Sequence, residues 1–415
     1  MRKVWMLIAC SLLCLAFAGV ASSAKTPVVW WMHWQAGAEA WVKEWGVKFE
    51  EQNPDIKLEL ETQTASPRDK LVVTVAAGVG PDIVYEVDSV MGPWIESGIT
   101  LPLNRYFSTL PNRNDFLPDV IEGLTYGGEL HAIPFMVWPW GVMWNRHVLS
   151  EAGVRDFPKT WDELVDVARR ITRVGSDGTI ERWGVRVERG VSYQVGLVEA
   201  LFRQQGVTMI AEEDTQVKLD HAEGIRALEY LRQLTEIGGR QAPRDVDVAG
   251  GTGGIYYSWS GAYWGNVIAA RPDAAEPGLL GFSRYPGPVA GADNLHVMSA
   301  NLFITSSSKV LDTAWRVIEA WVEPRNLRDY LIHRGMLPVR RSIFTDPEFQ
   351  DNAFKRQMLA NMYSPLLLHG VKHTRYDLFR VGVGREFLAA FDGQISAAEA
   401  LIRAEHIINV ELAKE

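Results

Sequence analysis

The sequence has very little cysteine, and all of it lies near the start. Both cysteines among the 415 residues, Cys10 and Cys14, fall in the apolar run Val4–Val20 that follows Met-Arg-Lys. Small residues at 21–24 come next, which is the pattern of a secretory signal peptide, and we predict cleavage after Ala24. The mature chain then has no thiol, which excludes disulfide bonds, a cysteine nucleophile and cysteine-based metal or iron–sulfur sites.

Long hydrophobic runs are missing after Ala24, where no segment approaches the length needed to span a bilayer. We therefore expect an exported protein that is free of the membrane. The alternative is that residues 7–10, Leu-Ile-Ala-Cys, form a lipid-attachment box that tethers the chain through Cys10. The apolar run before Cys10 is very short for that purpose, so we favour the free form.

Basic residues are in the minority. The chain has 42 lysines and arginines against 51 acidic residues, and removing Arg2 and Lys3 with the signal peptide leaves a net charge of −11, from 40 against 51. This balance argues against nucleic acid or an anionic membrane as the main partner.

Catalytic motifs are also missing. The sequence has no G-x-S-x-G elbow and no H-E-x-x-H motif. His369 and His373 have the spacing of helical metal ligands, but Gly370 lies between them and no third ligand is evident nearby. Glu86 and Asp88 are too close in sequence to face each other across a sugar as a glycosidase pair. We therefore expect no enzyme, no metal site and no cofactor.

What the chain does have is tryptophan, concentrated in the segment from Gly128 to Arg146. Trp138, Trp140 and Trp144 are evenly spaced there, so a strand would place their rings on one face. Pro134 and Pro139 argue against a central strand, which favours an edge strand or a connection between two bodies. The segment could line a ligand cleft, or its rings could simply pack in a core.

The first residues after the signal peptide alternate strands and helices, which predicts an open α/β sheet with parallel strands. Ligands bind beyond the carboxyl ends of the strands in such sheets. Trp34 and Gln35 follow the first predicted strand, and Glu86 and Asp88 follow the third; either carboxylate could instead be a solvated loop residue. A later helix begins with a capping box at Thr160 and Glu163.

Five segments together resemble the bacterial extracellular solute-binding proteins of family 1, the maltose-binding-protein-like sugar receptors of ATP-binding-cassette (ABC) importers. They occur in the same order and span essentially the whole mature chain: A-A-G-V-G-P-D-I-V-Y-E-V-D at 76–88, G-G-E-L-H-A-I-P-F…W-N-R at 127–146, F-P-K-T-W-D-E-L at 157–164, R-G-M-L-P-V-R-R-S at 334–342 and G-Q-I-S-A-A-E-A-L at 393–401.

This resemblance implies an α/β fold of the two-lobed periplasmic binding protein type II, in which each lobe is an open, mostly parallel sheet flanked by helices. It places the protein in the periplasm as a monomer that serves a membrane permease. The lobes would be joined by a hinge with crossings near 137–140, 290–296 and 340–346. After a signal peptide at 1–24, the N-terminal lobe would comprise residues 25–136 and 296–345, and the C-terminal lobe residues 137–295 and 346–415.

The resemblance also implies a solute site, with stacking rings and polar partners drawn from both lobes and the crossing: Trp34, Gln35, Glu86, Asp88, Trp138, Trp140, Tyr263, Trp264 and Asn301. Family members usually carry Trp where Tyr263 stands, and glycines where Ser299 to Asn301 stand, so the identity of the solute is open. A mono- or oligosaccharide is expected. The alternatives are a polyamine or glycerol phosphate, or a secreted carbohydrate-active enzyme.

Overall fold

The structure is a computed structural model, and it describes residues 24–32, 38–63, 67–275, 278–334, 336–350, 353–362, 366–368 and 372–414. The signal peptide with Cys10, the predicted site residues Trp34 and Gln35, and His369 lie outside these residues. No helix within the described ranges is both long enough and apolar enough to cross a membrane.

Strands and helices alternate over most of the chain. The strands are β1 (Thr26–Met32), β2 (Ile56–Thr62), β3 (Ile83–Val87), β4 (Thr125–Tyr126), β5 (Glu129–Leu130), β6 (Ile133–Asn145), β7 (Arg173–Val174), β8 (Ile180–Val187), β9 (Gly253–Ser260), β10 (Leu280–Ser283), β11 (Leu295–Ile304), β12 (Leu337–Pro338) and β13 (Leu366–Leu368). The α-helices are α1 (Ala38–Gln52), α2 (Arg68–Ala76), α3 (Met91–Glu96), α4 (Asn104–Thr109), α5 (Pro118–Gly123), α6 (Arg146–Glu151), α7 (Trp161–Ile171), α8 (Gln194–Arg203), α9 (Ala222–Gly238), α10 (Asp245–Gly250), α11 (Trp264–Ala270), α12 (Leu311–Trp321), α13 (Pro324–Arg334), α14 (Arg341–Phe344), α15 (Pro347–Gln350), α16 (Ala353–Asn361), α17 (Tyr376–Phe391) and α18 (Ala397–Leu412).

The main sheet has 11 strands among the described residues, and its central path runs β2-β1-β3-β11-β6-β9-β8-β7. Strand β1 pairs in parallel with β2 and β3, and β8 pairs in parallel with β9, as the alternating pattern predicts. The middle of the sheet is antiparallel, because β11 runs against both β3 and β6, and β6 runs against β9. The fold is α/β, with a parallel set of strands on each side of an antiparallel centre.

The tryptophan-rich strand β6 lies in the middle of this sheet, so the prediction of an edge position was wrong. It is 13 residues long and changes its partners along its length. Its first part pairs with β11 and β12, and its second part pairs with β9 and β10. The prolines are tolerated because they lie at irregularities: Pro134 is next to a register shift against β11, and Pro139 falls between the residues paired with β12 and those paired with β9.

Two hydrophobic clusters flank this sheet. The first is rich in aromatic rings, with Trp321 in edge contact with Trp30 at 5.1 Å and with Trp45 at 4.9 Å between ring centroids. It extends past β6 to residues of β9, β10 and α11. The second cluster lies under α7, α8, α9, α17 and α18, where Trp161 stacks on Tyr230 at 4.7 Å. The sheet thus supports two cores. The first core contains residues from both predicted lobes, so the cores alone do not mark the predicted lobe boundaries.

Glu199 is a fully buried carboxyl group in the second core. Its Oε1 lies 2.5 Å from Arg203 Nε, and its Oε2 accepts a hydrogen bond from Met209 N at 2.6 Å. Burial outweighs these contacts and raises the pKa of Glu199 to about 8.

We expect Glu199 to make the stability of the protein fall as the pH rises. The folded pKa lies above the ordinary carboxyl value, so the contribution is complete below about pH 4.5 and is lost progressively towards pH 8. Glu199→Gln should remove this component, which urea unfolding of both proteins at pH 5 and pH 8 would measure. An identical pH dependence in the two proteins would contradict the buried, protonated state.

Candidate functional site

The first part of the site lies at the carboxyl end of β3, where the structure corrects the predicted strand end. Strand β3 continues through Glu86 and Val87, so Glu86 is inside the strand, opposite Asn301 of β11, and only 1% exposed. Its Oε2 lies 3.7 Å from Arg68 Nε, and Arg68 Nη1 lies 3.6 Å from Asp377 Oδ2. Arg68 therefore joins a buried carboxylate of β3 to a carboxylate near the start of α17.

The segment Ser299 to Asn301, where family members usually carry glycines, is part of β11. Asn301 is fully buried, its Oδ1 accepts from Ser299 Oγ at 2.9 Å, and its Nδ2 donates to the Ser299 carbonyl at 3.1 Å. Asp88 is 5% exposed and accepts from Ser299 N at 3.2 Å. These polar groups fix the ends of β3 and β11 against each other, and direct contact between Asn301 and a solute stays a prediction.

Aromatic side chains form the second part of the site. The Trp140 ring is 4.4 Å from Tyr193, 6.5 Å from Tyr263 in an edge contact, and 5.6 Å from His296 in a stacked one. Tyr193 and Tyr263 are half-buried, whereas Trp140 is 2% exposed. Burial, together with the neighbouring Tyr193, raises the pKa of Tyr263, so its hydroxyl keeps its proton. This cluster can offer ring faces and hydroxyl groups to a ligand.

Trp138 and Trp264 differ in burial, although both contact the first core. Trp138 is half-buried and pairs with Met298 of β11, two residues from Trp140 and on the same face of β6. Trp264 is 4% exposed, and its ring stacks on Phe354 at 4.5 Å within the first core. The structure therefore brings Trp138, Trp140 and Tyr263 to one region and packs Trp264 into the core beside it.

Part-buried charged side chains after β8 and on α17 complete the site. Glu188 directly follows β8; it accepts hydrogen bonds from Arg189 N, Gly190 N and the hydroxyl of Tyr256. Burial and this carboxylate raise the pKa of Tyr256, which keeps its hydroxyl as a donor. Two arginines near the site are themselves paired: Arg189 donates to Asp392 at 2.7 Å, and Arg380 donates to Asp377 at 2.6 Å.

A small cavity of about 20 Å³ lies between these parts, and its walls include Ser89, Tyr193, His296, Met298 and Tyr376. Its volume is on the scale of one water molecule, so a larger ligand enters only if the walls separate. The residues that line it neighbour the predicted site residues but include none of them. Two larger cavities, of about 570 and 580 Å³, lie elsewhere and are likewise lined by none of them.

A residue with a strained backbone, Ser258, is linked to the aromatic cluster through hydrogen bonds. Ser258 in β9 has φ of 66°, a left-handed conformation that is rare for a side chain other than glycine. Its Oγ accepts from the Tyr285 hydroxyl at 3.0 Å, and that hydroxyl lies 3.4 Å from Nδ1 of His296, the residue that stacks on Trp140. Strain of this kind is held in place by surrounding contacts and is concentrated at functional sites.

Four residues of the site were not predicted from the sequence: Arg68, Glu188, Tyr193 and Asp377. Glu188 could have been found, because it directly follows β8 and the strand-end rule applies there as well. Arg68 begins the helix after β2 and could have been found in the same way. Asp377 and Tyr193 lie in helical segments whose place at the site depends on tertiary packing. His373, considered as a metal ligand, accepts from Arg375 N and contacts the Asp214 carbonyl; no cluster of metal-binding side chains is found in the part of the chain that the structure describes.

Comparison with known families agrees with this architecture. A family model described as bacterial extracellular solute-binding protein matches residues 44–356, which is most of the chain. The chain belongs to this family. Family members are solute receptors of the extracellular or periplasmic space.

Individual relatives of this solute-binding protein are distant in sequence. The maltotriose-binding protein of Pyrococcus abyssi is 22% identical over 72% of this chain, and the match spans 63% of that protein's own length. The mannitol-binding protein of Pseudomonas aeruginosa is 24% identical over 86% of both chains. The structure of the sugar-binding protein MalE from Xanthomonas citri superposes with a TM-score of 0.79 at 22% identity, covering 94% of this chain and 98% of that one. The fold is thus the two-lobed type II periplasmic binding protein fold.

We expect Ser258 and Tyr285 to stabilise the protein through one shared hydrogen bond. Ser258→Ala and Tyr285→Phe should each lower the free energy of unfolding by about 1–3 kcal/mol, because each leaves a buried polar partner behind. The double variant should lose less than the sum of the two, as expected for residues in contact. Urea unfolding measures all three, and Tyr106→Phe, which removes an exposed hydroxyl bonded to Asp312, is the control with little effect. Full additivity would contradict the shared bond.

Proposed function

We propose that this protein is an extracytoplasmic receptor that captures a neutral mono- or oligosaccharide between its lobes and delivers it to an ABC permease. The observation that carries the proposal is the combination of half-buried rings with charged groups that are already paired. Sugars present apolar C–H faces and many hydroxyl groups, which suit ring faces and hydrogen-bonding side chains. The relatives named for maltotriose and mannitol support a neutral carbohydrate or polyol.

The pairing of charges favours an uncharged solute over the alternatives. Gripping a phosphate would require Arg68, Arg189 or Arg380 to leave a carboxylate partner. A polyamine would in turn need carboxylates that these arginines already neutralise. Exchanging one buried or half-buried pair for another costs desolvation without a net gain in charge pairing.

The partner change along β6 supports the proposed lobes, residues 25–136 with 296–345 and residues 137–295 with 346–415. A crossing at 137–140 coincides with the part of β6 where β12 ends as a partner and β9 begins. Because the cavity between the site residues is so small, a sugar would bind to an open form of the protein, and the lobes would then close around it.

We place the mature protein in the periplasm as a free monomer beginning at Lys25. Mass spectrometry of the exported protein would test this N-terminus.

We expect a thermal-shift screen to select a neutral sugar or polyol. A ligand that binds the folded state alone raises the melting temperature. The panel should contain mono- and oligosaccharides, mannitol, polyamines and glycerol phosphate. Stabilisation by a polyamine or glycerol phosphate, with none by any neutral compound, would refute the proposed class; consumption of the sugar during incubation would favour the enzyme alternative.

We expect Trp138→Ala to weaken sugar binding by roughly 1–3 kcal/mol, the scale of one buried aromatic contact. Tyr263→Ala should behave in the same way, because both rings are half-buried and near Trp140. Trp264→Phe is the matched control: its ring packs on Phe354, so we expect a loss of stability with unchanged affinity. Calorimetric titration with the selected sugar measures the affinities. If Trp264→Phe loses affinity and Trp138→Ala does not, the assignment of rings to the site is wrong.

A further inference from the structure

The start of α17 makes a set of contacts with α3 beside the site. Thr374 Oγ1 donates to Glu96 Oε1 at 2.6 Å, and Arg375 Nε lies 3.5 Å from the same oxygen. The backbone around Thr374 also lies against Gly92 of α3. We call Gly92, Glu96, Thr374 and Arg375 the closure contacts.

Gly92 is the most demanding of these residues. A Cβ atom at this position would lie 1.7 Å from the carbonyl oxygen of Thr374 and 2.3 Å from its carbonyl carbon. The partner atoms belong to the backbone, so no rotation of a side chain can relieve the overlap. The glycine is needed for this close approach and not for its own conformation, because its φ is not positive.

These contacts join parts of the molecule that belong to different cores. Helix α3 contributes Met91 and Trp94 to the first core. Helix α17 contributes Tyr376 and Phe379 to the second core and packs on α8, α9 and α18. The ion pair of Arg68 with Asp377 joins the same helix α17 to α2, whose Leu71 and Val75 lie in the first core.

We propose that the closure contacts form when the two lobes close, and that they set the affinity for the solute without touching it. This inference rests on the proposed receptor function. Gly92, Glu96 and Arg375 do not line the small cavity of the site. A contact that exists in the closed form alone shifts the equilibrium towards that form, and the apparent affinity of a solute that binds there rises with the closed population.

The experiment measures the distance between the lobes with spin labels. The mature chain has no cysteine, so cysteines introduced at Val73 of α2 and Ile402 of α18, both exposed, can be labelled without background. In the parent protein without solute, we expect part of the population to show a short distance between the two labels. In Gly92→Ala, this population should shift to longer distances. Gly382→Ala is the control in α17, since a Cβ there meets its nearest neighbours at ordinary contact distances. Unchanged distances in Gly92→Ala would overturn the proposal.

The second measurement is affinity, with maltotriose as the probe. Gly92→Ala should weaken binding about tenfold or more, the scale of an overpacked contact. Glu96→Gln keeps an acceptor for the Thr374 hydroxyl but removes the negative charge that faces Arg375, so we expect the affinity to fall about two- to fivefold. Glu96→Ala, which removes the acceptor as well, should lower the affinity further. Glu96 is exposed, so its two variants still test the proposal if Gly92→Ala does not fold. A lower melting temperature without a change in the distance between the lobes would mean that the contacts are only structural, and it would refute the proposal. If maltotriose does not bind the parent, the choice of solute fails, while the solute-free distances still decide whether the closure contacts act.

Discussion

The backbone of β6 is the constraint on which the rest of the structure depends. Its N–H and C=O groups must be paired along 13 residues, 12 of them buried, yet the strand changes partners from β11 and β12 to β10 and β9 on the way. Pro134 and Pro139 fit only because they coincide with breaks in the pairing. The two cores are therefore held to one continuous strand, and Trp138 and Trp140 stand where its partners change.

The same arrangement explains the chemistry of the site. Carboxylates at strand ends would repel each other and attract cations, but each is engaged by an arginine, a tyrosine hydroxyl or backbone N–H groups. The groups left to contact a solute are ring faces and hydroxyl groups. Each contributes little to the binding free energy, but a sugar can contact several of them at once. In the function proposed above, selectivity for an uncharged ligand follows from pairing within the protein, while the closed form depends on contacts outside the cleft.

Local patterns were enough to predict much of the fold. The capping box of Thr160 and Glu163 is present with both of its hydrogen bonds, and the alternation of strands and helices gave the parallel strands correctly. Properties that depend on distant partners were not predictable. Glu86 and Asn301 are buried because β3 continues past its expected end and pairs there with β11. Strand β6 is central because the other strands assemble around it, and Trp264 faces Phe354 while its neighbour Tyr263 faces Trp140. The need for Gly92 depends on Thr374, which no local pattern reveals.

The proposed function requires that the protein hold an intact, uncharged carbohydrate between its two lobes. Native mass spectrometry tests it most directly: the mature chain is incubated with an equimolar mixture of neutral sugars, polyols, polyamines and glycerol phosphate, and the mass bound to the folded protein is read. We expect one bound molecule whose mass is that of an unchanged neutral sugar or polyol. A bound polyamine or phosphate ester, or the appearance of cleaved sugar, would contradict it.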